Sequence, residues 1–123
     1  MRILHVEDDP DIREIALLSL ETLGGFTVLQ CGSGQEALDQ AEAYGPELFL
    51  LDVMMPGLSG PDTLKILRKN AVLAEVPAIF MTSISAAQAN AEEIRELSIG
   101  TIQKPFDPVT LADKIRSIVA QVG

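Results

Sequence analysis

Apolar runs of strand length alternate with stretches of helical period along the whole chain. This alternation is typical of βα units, in which successive strands lie parallel in one sheet. Most of the runs lack polar alternation, as expected for strands that are covered on both faces. The pattern predicts an α/β fold with five parallel strands, at residues 3–6, 26–30, 48–51, 78–81 and 101–103.

Helical periods fill the intervals between these runs, at residues 11–23, 35–44, 59–70, 86–97 and 107–122. Gly24 and Gly25 give the first predicted helix a stop signal, and Asp107 and Pro108 give the last one a cap and a first-turn proline. The first helix has an apolar stripe of Ile12, Ile15, Ala16, Leu20 and Leu23.

The predicted helix at residues 86–97 differs from the others, because it carries few large apolar side chains. Most helical stability comes from packing an apolar face, so we expect this helix to be the least firmly anchored. A loosely held element of this kind is either a switch or an ordinary alanine-rich surface helix.

The bulk properties of the chain limit its function. A chain of 123 residues fits one domain over its full length, with a core that needs no disulfide or structural metal. The net charge of −9 argues against nucleic acid and anionic membranes as partners, because phosphate groups are held by Lys and Arg. No membrane span or signal peptide is predicted, and the single cysteine, Cys31, is compatible with the cytoplasm. We expect a cytoplasmic monomer or weak dimer.

Charged side chains follow three of the predicted strands, at the point where each strand ends. Glu7 and Asp8 follow the first strand, Asp52 follows the third, and Lys104 follows the fifth. Because the carboxyl ends of parallel strands share one edge of the sheet, where open α/β sheets bind ligands, we expect a common pocket. A purely structural ion pair of Asp52 with Lys104 is the alternative interpretation, since a buried acid needs a partner.

This set of residues suits phosphoryl transfer. Three carboxylates within a few ångströms repel one another unless a cation neutralises them, and a small set of oxygen ligands favours Mg²⁺. Asp52 is the predicted nucleophile, because carboxylates form aspartyl-phosphates. Lys104, the Thr82 hydroxyl and the Ser83 backbone N–H are predicted to stabilise charge on the transferring oxygens.

Four short motifs carry a family resemblance. They are Val6-Glu7-Asp8-Asp9-Pro10, Asp52-Val53-Met54-Met55-Pro56 with Gly60, Met81-Thr82-Ser83 and Lys104-Pro105-Phe106. In this order and at these intervals they resemble the receiver domain of two-component response regulators, over essentially the whole chain. The resemblance implies a flavodoxin-like (βα)5 doubly wound fold with strand order 2-1-3-4-5.

The resemblance also assigns metal ligands. Asp8 and Asp52 are the implied direct ligands of Mg²⁺, together with the backbone carbonyl oxygen of Met54. Glu7 is implied as a ligand that acts through a bound water. Asp52 therefore has two implied roles, as a ligand and as the phospho-acceptor.

Phosphoryl contacts and a switch are implied as well. Lys104 and Thr82 would contact the phosphoryl oxygens, and the peptide bond from Lys104 to Pro105 would be cis, which is uncommon. Thr82 and Thr101 occupy the switch positions of the family, where most members carry an aromatic residue in place of Thr101. Threonine cannot repeat the inward motion of that ring, so readout is expected to be carried by residues 83–97 alone or to be weakened.

By this resemblance the chain is expected to be a stand-alone receiver that catalyses only its own phosphorylation and dephosphorylation. A histidine kinase or a histidine phosphotransfer protein would supply the phosphoryl group to Asp52. A downstream protein would bind the surface formed by Ala86 to Leu97, Thr101 to Gln103 and Asp107 to Val122.

Three rival functions use some of the same residues. A Mg²⁺-dependent phosphatase or mutase also uses an aspartyl nucleophile, but it usually has a second acid nearby, and here Val53 and Met54 follow Asp52. A flavodoxin-type redox protein would need a Gly/Ser/Thr-rich phosphate loop after the first strand, where this sequence has acids. A degenerate receiver would have lost part of the acid and lysine set.

Overall fold

The centre of the molecule is a sheet of five parallel strands. The computed structural model describes residues 1–122. The strands are β1 Arg2–Val6, β2 Thr27–Cys31, β3 Leu48–Asp52, β4 Ala78–Thr82 and β5 Gly100–Gln103. Their order is β2-β1-β3-β4-β5, which confirms the predicted topology.

Helices lie on both faces of this sheet, which confirms the doubly wound arrangement. They are α1 Pro10–Leu17, continued by a π-helical segment Leu18–Leu23, then α2 Gly34–Tyr44, α3 Gly60–Leu67, α4 Ile84–Ala89, α5 Ala91–Leu97 and α6 Leu111–Val122. No helix within residues 1–122 has the length and apolar character needed to span a membrane.

Two apolar layers sandwich the sheet, because successive side chains of a strand point to opposite faces. Phe49, Leu51 and Phe80 face the layer that α2, α3 and α5 complete. Leu50 and Ile79 face the layer that α1 and α6 complete. β3 and β4 are buried along their whole length, which explains why their sequences lack polar alternation.

The first predicted helix has the expected extent but changes its winding at Leu18. Ser19 is buried there, and its hydroxyl donates to the Pro108 carbonyl at 2.5 Å. Leu20 packs inward, whereas Leu23 is 60% exposed, because the wider π winding turns it away from the core face. The placement of Leu23 on the apolar stripe was therefore wrong, and Ile15 is largely exposed as well.

The predicted helix at residues 86–97 is interrupted. It begins earlier, where the Ser83 hydroxyl caps α4 by accepting from the Ala86 N–H at 3.2 Å. It breaks at Asn90, whose backbone leaves the helical region and whose side-chain amide donates to the Ala86 carbonyl at 2.9 Å. Since Ala86 and Ile94 are the only buried residues on α4 and α5, little apolar packing opposes this break.

Other helix and strand ends differ by a few residues. β2 begins after Phe26, because the Phe26 N–H donates to the Leu20 carbonyl at 3.0 Å instead of joining the sheet. α6 begins at Leu111 rather than near Pro108. Asp107 opens a tight turn there, since its carbonyl accepts from the Thr110 N–H at 3.1 Å before the helix starts.

Candidate functional site

The predicted site residues meet at the carboxyl edge of the sheet. Glu7 directly follows β1, Asp52 ends β3, Thr82 ends β4 and Lys104 directly follows β5. In the register, Asp52 lies beside Met81, so that Thr82 extends one residue beyond it. Strand order thus brings together residues that are far apart in the sequence, as the apolar runs predicted.

Three carboxylates form a cluster at this edge. One oxygen from each of Glu7, Asp8 and Asp52 lies within 4.8 Å of the others. Glu7 is 1% exposed and Asp52 is 5% exposed, whereas Asp8 is exposed to solvent. An all-oxygen set that opens to water on one side fits the ligand preference of Mg²⁺, which usually keeps several waters.

Lys104 is the cation that faces this cluster. Its Nζ donates to Glu7 Oε1 at 2.7 Å and to Asp52 Oδ2 at 3.1 Å. Burial alone would lower the pKa of Lys104, but the hydrogen bonds and charges of the two carboxylates outweigh it and raise the pKa. The charged form of Lys104 is therefore favoured between two buried acids.

Burial at this edge disfavours the charged forms of the Glu7 and Asp52 carboxyl groups. Burial raises the pKa of Glu7 and the pKa of Asp52, and their hydrogen bonds to Lys104 offset only part of the rise. The backbone N–H of Asp9 donates to Glu7 Oε2 at 3.1 Å and gives further support. Lys104 is paired with only two of the three carboxylates, Glu7 and Asp52, so the cluster can accommodate a further cation.

Thr82 and Ser83 lie where β4 gives way to α4. The buried Thr82 hydroxyl donates to the Ser83 carbonyl at 3.0 Å, and the Ser83 hydroxyl is used as the cap of α4. The Lys104 N–H donates to the Thr82 carbonyl at 2.9 Å, so the backbones of these two site residues are linked. The peptide bond from Lys104 to Pro105 is cis, which confirms that prediction.

Thr101 and Met54 lie at the border of the site. Thr101 is exposed on β5 and lines, with Thr82 and Gln103, a cavity of about 190 Å³ beside the start of α4. Met54 follows β3 in the loop to α3, and its side chain is 65% exposed.

Arg13 is a site neighbour that sequence reasoning missed. Its Nη1 donates to the Glu7 carbonyl at 2.8 Å and to the Asp8 carbonyl at 3.2 Å. The sequence offered a weak signal, because Arg13 is the single basic residue of the first helix among several acids. The contact itself depends on how α1 crosses the end of β1.

A family model described as the response regulator receiver domain matches residues 3–116. The chain belongs to this family. Receiver domains are parts of two-component systems.

Curated relatives and solved structures agree with this receiver assignment. The phosphate regulon transcriptional regulatory protein PhoB of Klebsiella pneumoniae is 33% identical over 99% of this chain and 53% of PhoB. The uncharacterized transcriptional regulatory protein YkoG of Bacillus subtilis is 38% identical over 98% of this chain and 52% of YkoG.

Solved receivers share the fold. A response regulator from Desulfuromonas acetoxidans has a TM-score of 0.84 and 27% identity, over 99% of this chain and 98% of that chain. The chemotaxis response regulator CheY4 of Vibrio cholerae has a TM-score of 0.85 and 25% identity, over 95% of this chain and 97% of that chain.

The receiver spans about half the length of the curated relatives it matches. Two of those relatives are named transcriptional regulatory proteins. The expectation that nucleic acid is not a partner therefore concerns only the acidic surface of this chain.

Proposed function

We propose that this receiver accepts a phosphoryl group on Asp52, in a Mg²⁺-dependent transfer from a histidine kinase or a histidine phosphotransfer protein. Phosphorylation then changes partner binding or precedes relay of the group to another protein. One observation carries this proposal: the buried Asp52 carboxylate lies within 4.8 Å of Glu7 and Asp8 oxygens and 3.1 Å from Lys104 Nζ.

The transfer is a displacement at phosphorus. An Asp52 carboxylate oxygen forms a P–O bond while the bond from phosphorus to the donor's histidine nitrogen breaks, and the electron pair stays on that nitrogen. Hydrolysis is the corresponding attack of water, which releases inorganic phosphate and restores the Asp52 carboxylate.

Four residues at this edge are the proposed ligands of Mg²⁺. Asp8 and Asp52 would bind Mg²⁺ directly, with the Met54 carbonyl, and Glu7 would bind through a water. When bound, the metal supplies positive charge to the carboxylates and to the phosphoryl oxygens.

Donors around the metal would complete the phosphoryl site. Lys104 would donate to a phosphoryl oxygen, and so would the Thr82 hydroxyl after leaving the Ser83 carbonyl that it now contacts. The Ser83 backbone N–H is the third proposed donor. Each of them lies at the same edge of the sheet as Asp52.

The proposed readout surface begins at α4, which follows Thr82 and Ser83. Movement of the Thr82 hydroxyl would act on α4, which starts at the next residue but one and is only six residues long. Thr101, being small and exposed, would leave α4 and α5 to carry most of the change. A downstream protein would therefore bind α4, α5, β5 and α6.

Mapping the label after incubation with acetyl phosphate and MgCl₂ tests the acceptor. Intact-mass and peptide mass spectrometry should find one phosphoryl group on Asp52, and Asp52→Asn should abolish it. Asp113→Asn is the matched control, because Asp113 is an aspartate on the exposed face of α6, where its side chain is 83% exposed. Undiminished labelling of Asp52→Asn would overturn the proposal.

Metal binding is tested by a separate titration. Mg²⁺ added to the unphosphorylated protein should shift the backbone amide resonances of residues 7–9 and 52–54. Asp8→Asn should weaken this binding by about 10-fold or more, in line with the loss of one charged ligand. An unchanged titration would remove Asp8 from the ligand set.

A phosphatase or mutase is the alternative that shares the aspartyl nucleophile. Val53 and Met54 follow Asp52, and neither a hydrocarbon nor a thioether side chain can act as a general acid. Steady release of phosphate from p-nitrophenyl phosphate, beyond the amount of protein present, would favour that alternative. The stand-alone state stays a prediction, because the chain spans about half the length of its relatives. The cytoplasmic location is likewise a prediction.

A further inference from the structure

We propose that Arg13 is a positioning residue that aims the Asp8 carboxylate into the acidic cluster. This inference rests on the proposed function, because it concerns the geometry of the Mg²⁺ site. Asp8 is the exposed member of the cluster, whereas Glu7 and Asp52 are buried and held by Lys104. Something else must therefore fix the direction of Asp8.

The contacts of Arg13 supply that constraint through the backbone. One guanidinium nitrogen, Nη1, donates to the Glu7 carbonyl at 2.8 Å and to the Asp8 carbonyl at 3.2 Å. These carbonyls belong to the two peptide planes on either side of the Asp8 Cα. Because the peptide planes are rigid, fixing both of them fixes the direction of the bond from Cα to Cβ. Only the side-chain torsions of Asp8 remain free.

The backbone of Arg13 is itself tied to the sheet. The Gln30 amide, on β2, donates to the Arg13 carbonyl at 2.7 Å and lies 3.1 Å from Nδ1 of the buried His5 on β1. The guanidinium also lies against Gly32, where a Cβ atom would come to 3.2 Å from Nη1. A hydrogen-bonded layer therefore runs from β1 and β2 through α1 to the loop that carries the acids.

Electrostatics favour arginine for this task. A charged donor makes stronger hydrogen bonds to carbonyls than a neutral one, and the guanidinium group offers several N–H donors in a fixed plane. Its contacts are to backbone oxygens, so the Asp8 carboxylate is left free for a metal. Lys104 and Arg13 thus bind the same loop at different groups. Lys104 contacts the carboxylate of Glu7, whereas Arg13 contacts the backbone carbonyls of Glu7 and Asp8.

A double-mutant cycle on Mg²⁺ affinity separates positioning from general stabilisation. The proteins are wild type, Arg13→Met, Asp8→Asn and the double variant, titrated with MgCl₂ and followed by backbone amide resonances. Arg13→Met should weaken Mg²⁺ binding about 10-fold, as for other residues that orient a ligand. In the Asp8→Asn background the same change should cost less than about 2-fold, because there is no carboxylate left to aim.

Arg116→Met is the matched control. The Arg116 guanidinium also donates to a backbone carbonyl, that of Gly24, and it stacks 4.7 Å from the centroid of Phe26. Its loss should leave Mg²⁺ affinity unchanged. Should Arg13→Met fail to fold in metal-free thermal unfolding, Arg13→Gln keeps a polar, helix-compatible side chain that is too short for both carbonyls, and the same cycle applies.

The outcomes are distinct. Equal losses in both backgrounds, or no loss in either, would overturn the role of Arg13 while Mg²⁺ binding by the wild type upholds the proposed function. A wild-type protein that shows no Mg²⁺ binding would overturn both. A loss confined to proteins that keep Asp8 would support the inference.

Discussion

Lys104 Nζ lies 2.7 Å from Glu7 Oε1, although the two residues are 97 positions apart in the chain. The same nitrogen lies slightly farther, at 3.1 Å, from Asp52 Oδ2. In the metal-free protein, one ammonium group therefore balances two buried carboxylates. Removal of this ammonium group should therefore affect both Glu7 and Asp52.

Lys104→Met should destabilise the metal-free protein most strongly at alkaline pH. The loss should be about 2 kcal/mol at pH 8, because buried charged acceptors would lose their donor. It should shrink as the pH falls, since Glu7 and Asp52, whose pKa values burial already raises, can then take up protons. Urea unfolding at several pH values measures this.

Lys65→Met is the control for Lys104→Met. Lys65 forms an ion pair of 2.8 Å with Glu93, but both side chains are well exposed, at 48% and 38%. Surface ion pairs contribute little to stability, so the control should lose much less at every pH. Similar losses in the two variants would show that the buried acids do not depend on Lys104.

Asp52→Asn should raise the melting temperature of the metal-free protein at neutral pH. Burial raises the pKa of Asp52, so its charged form is disfavoured by folding and an amide of the same shape avoids that cost. MgCl₂ should then stabilise the wild type more than the variant, because the variant lacks one ligand charge. Scanning calorimetry with and without MgCl₂ tests both statements, and a lower melting temperature for the variant would contradict the first.

The strands and the shared edge could be predicted because their signal is local. Leu48 to Leu51 is apolar without interruption and Asp52 ends it, so the sequence alone indicates a buried strand with a charged tip. The parallel arrangement of the strands then places Asp52 and Lys104 at the same edge of the sheet, because the carboxyl ends of parallel strands lie together.

Features that depend on tertiary contacts could not be predicted in the same way. The π winding after Leu18 accompanies the hydrogen bond from Ser19 to Pro108, residues that are 89 positions apart. The break at Asn90 reflects a competition between weak apolar packing and a side-chain amide. Arg13 carries no pattern of its own, because its partners are backbone carbonyls that every residue has.

Gly60→Ala should destabilise the protein by about 1–3 kcal/mol, as crowded substitutions do. A Cβ atom at Gly60 would collide with the Asp52 carbonyl oxygen, which is backbone and cannot turn aside. The collision should also slow phosphorylation, because it pushes on the residue that carries the acceptor. Denaturant unfolding and the initial rate of labelling by acetyl phosphate measure the two effects.

Gly57→Ala is the control for Gly60→Ala. Gly57 lies in the loop that leads to Gly60, the first residue of α3, and has open space around it, but its φ of 75° disfavours a side chain. It should lose about 1 kcal/mol through that backbone conformation alone and keep its labelling rate. Equal labelling rates for the two variants would show that Gly60 does not influence Asp52.

His5 should give the stability of the protein a pH dependence whose sign follows from its burial. It is fully buried on β1, and burial, helped by the charges of Lys104 and Arg13, lowers its pKa from 6.5 to about 3. Its Nδ1 lies 3.1 Å from the Gln30 amide, while its Nε2 has no hydrogen-bond partner within residues 1–122. The folded protein therefore binds a proton at His5 less readily than the unfolded chain does.

Stability contributed by neutral His5 is fully present above pH 6.5 and should be lost between pH 6.5 and about 3. The loss should approach about 1.4 kcal/mol per pH unit. Protonation of Glu7 and Asp52 acts in the opposite direction, because their pKa values are raised on folding.

The quantity to measure is therefore the difference in unfolding free energy between wild type and His5→Leu, which keeps both acids. That difference should be constant above pH 7 and should turn against the wild type as the pH falls to 5; a flat difference would show that His5 is protonated as readily in the folded protein as in the unfolded chain.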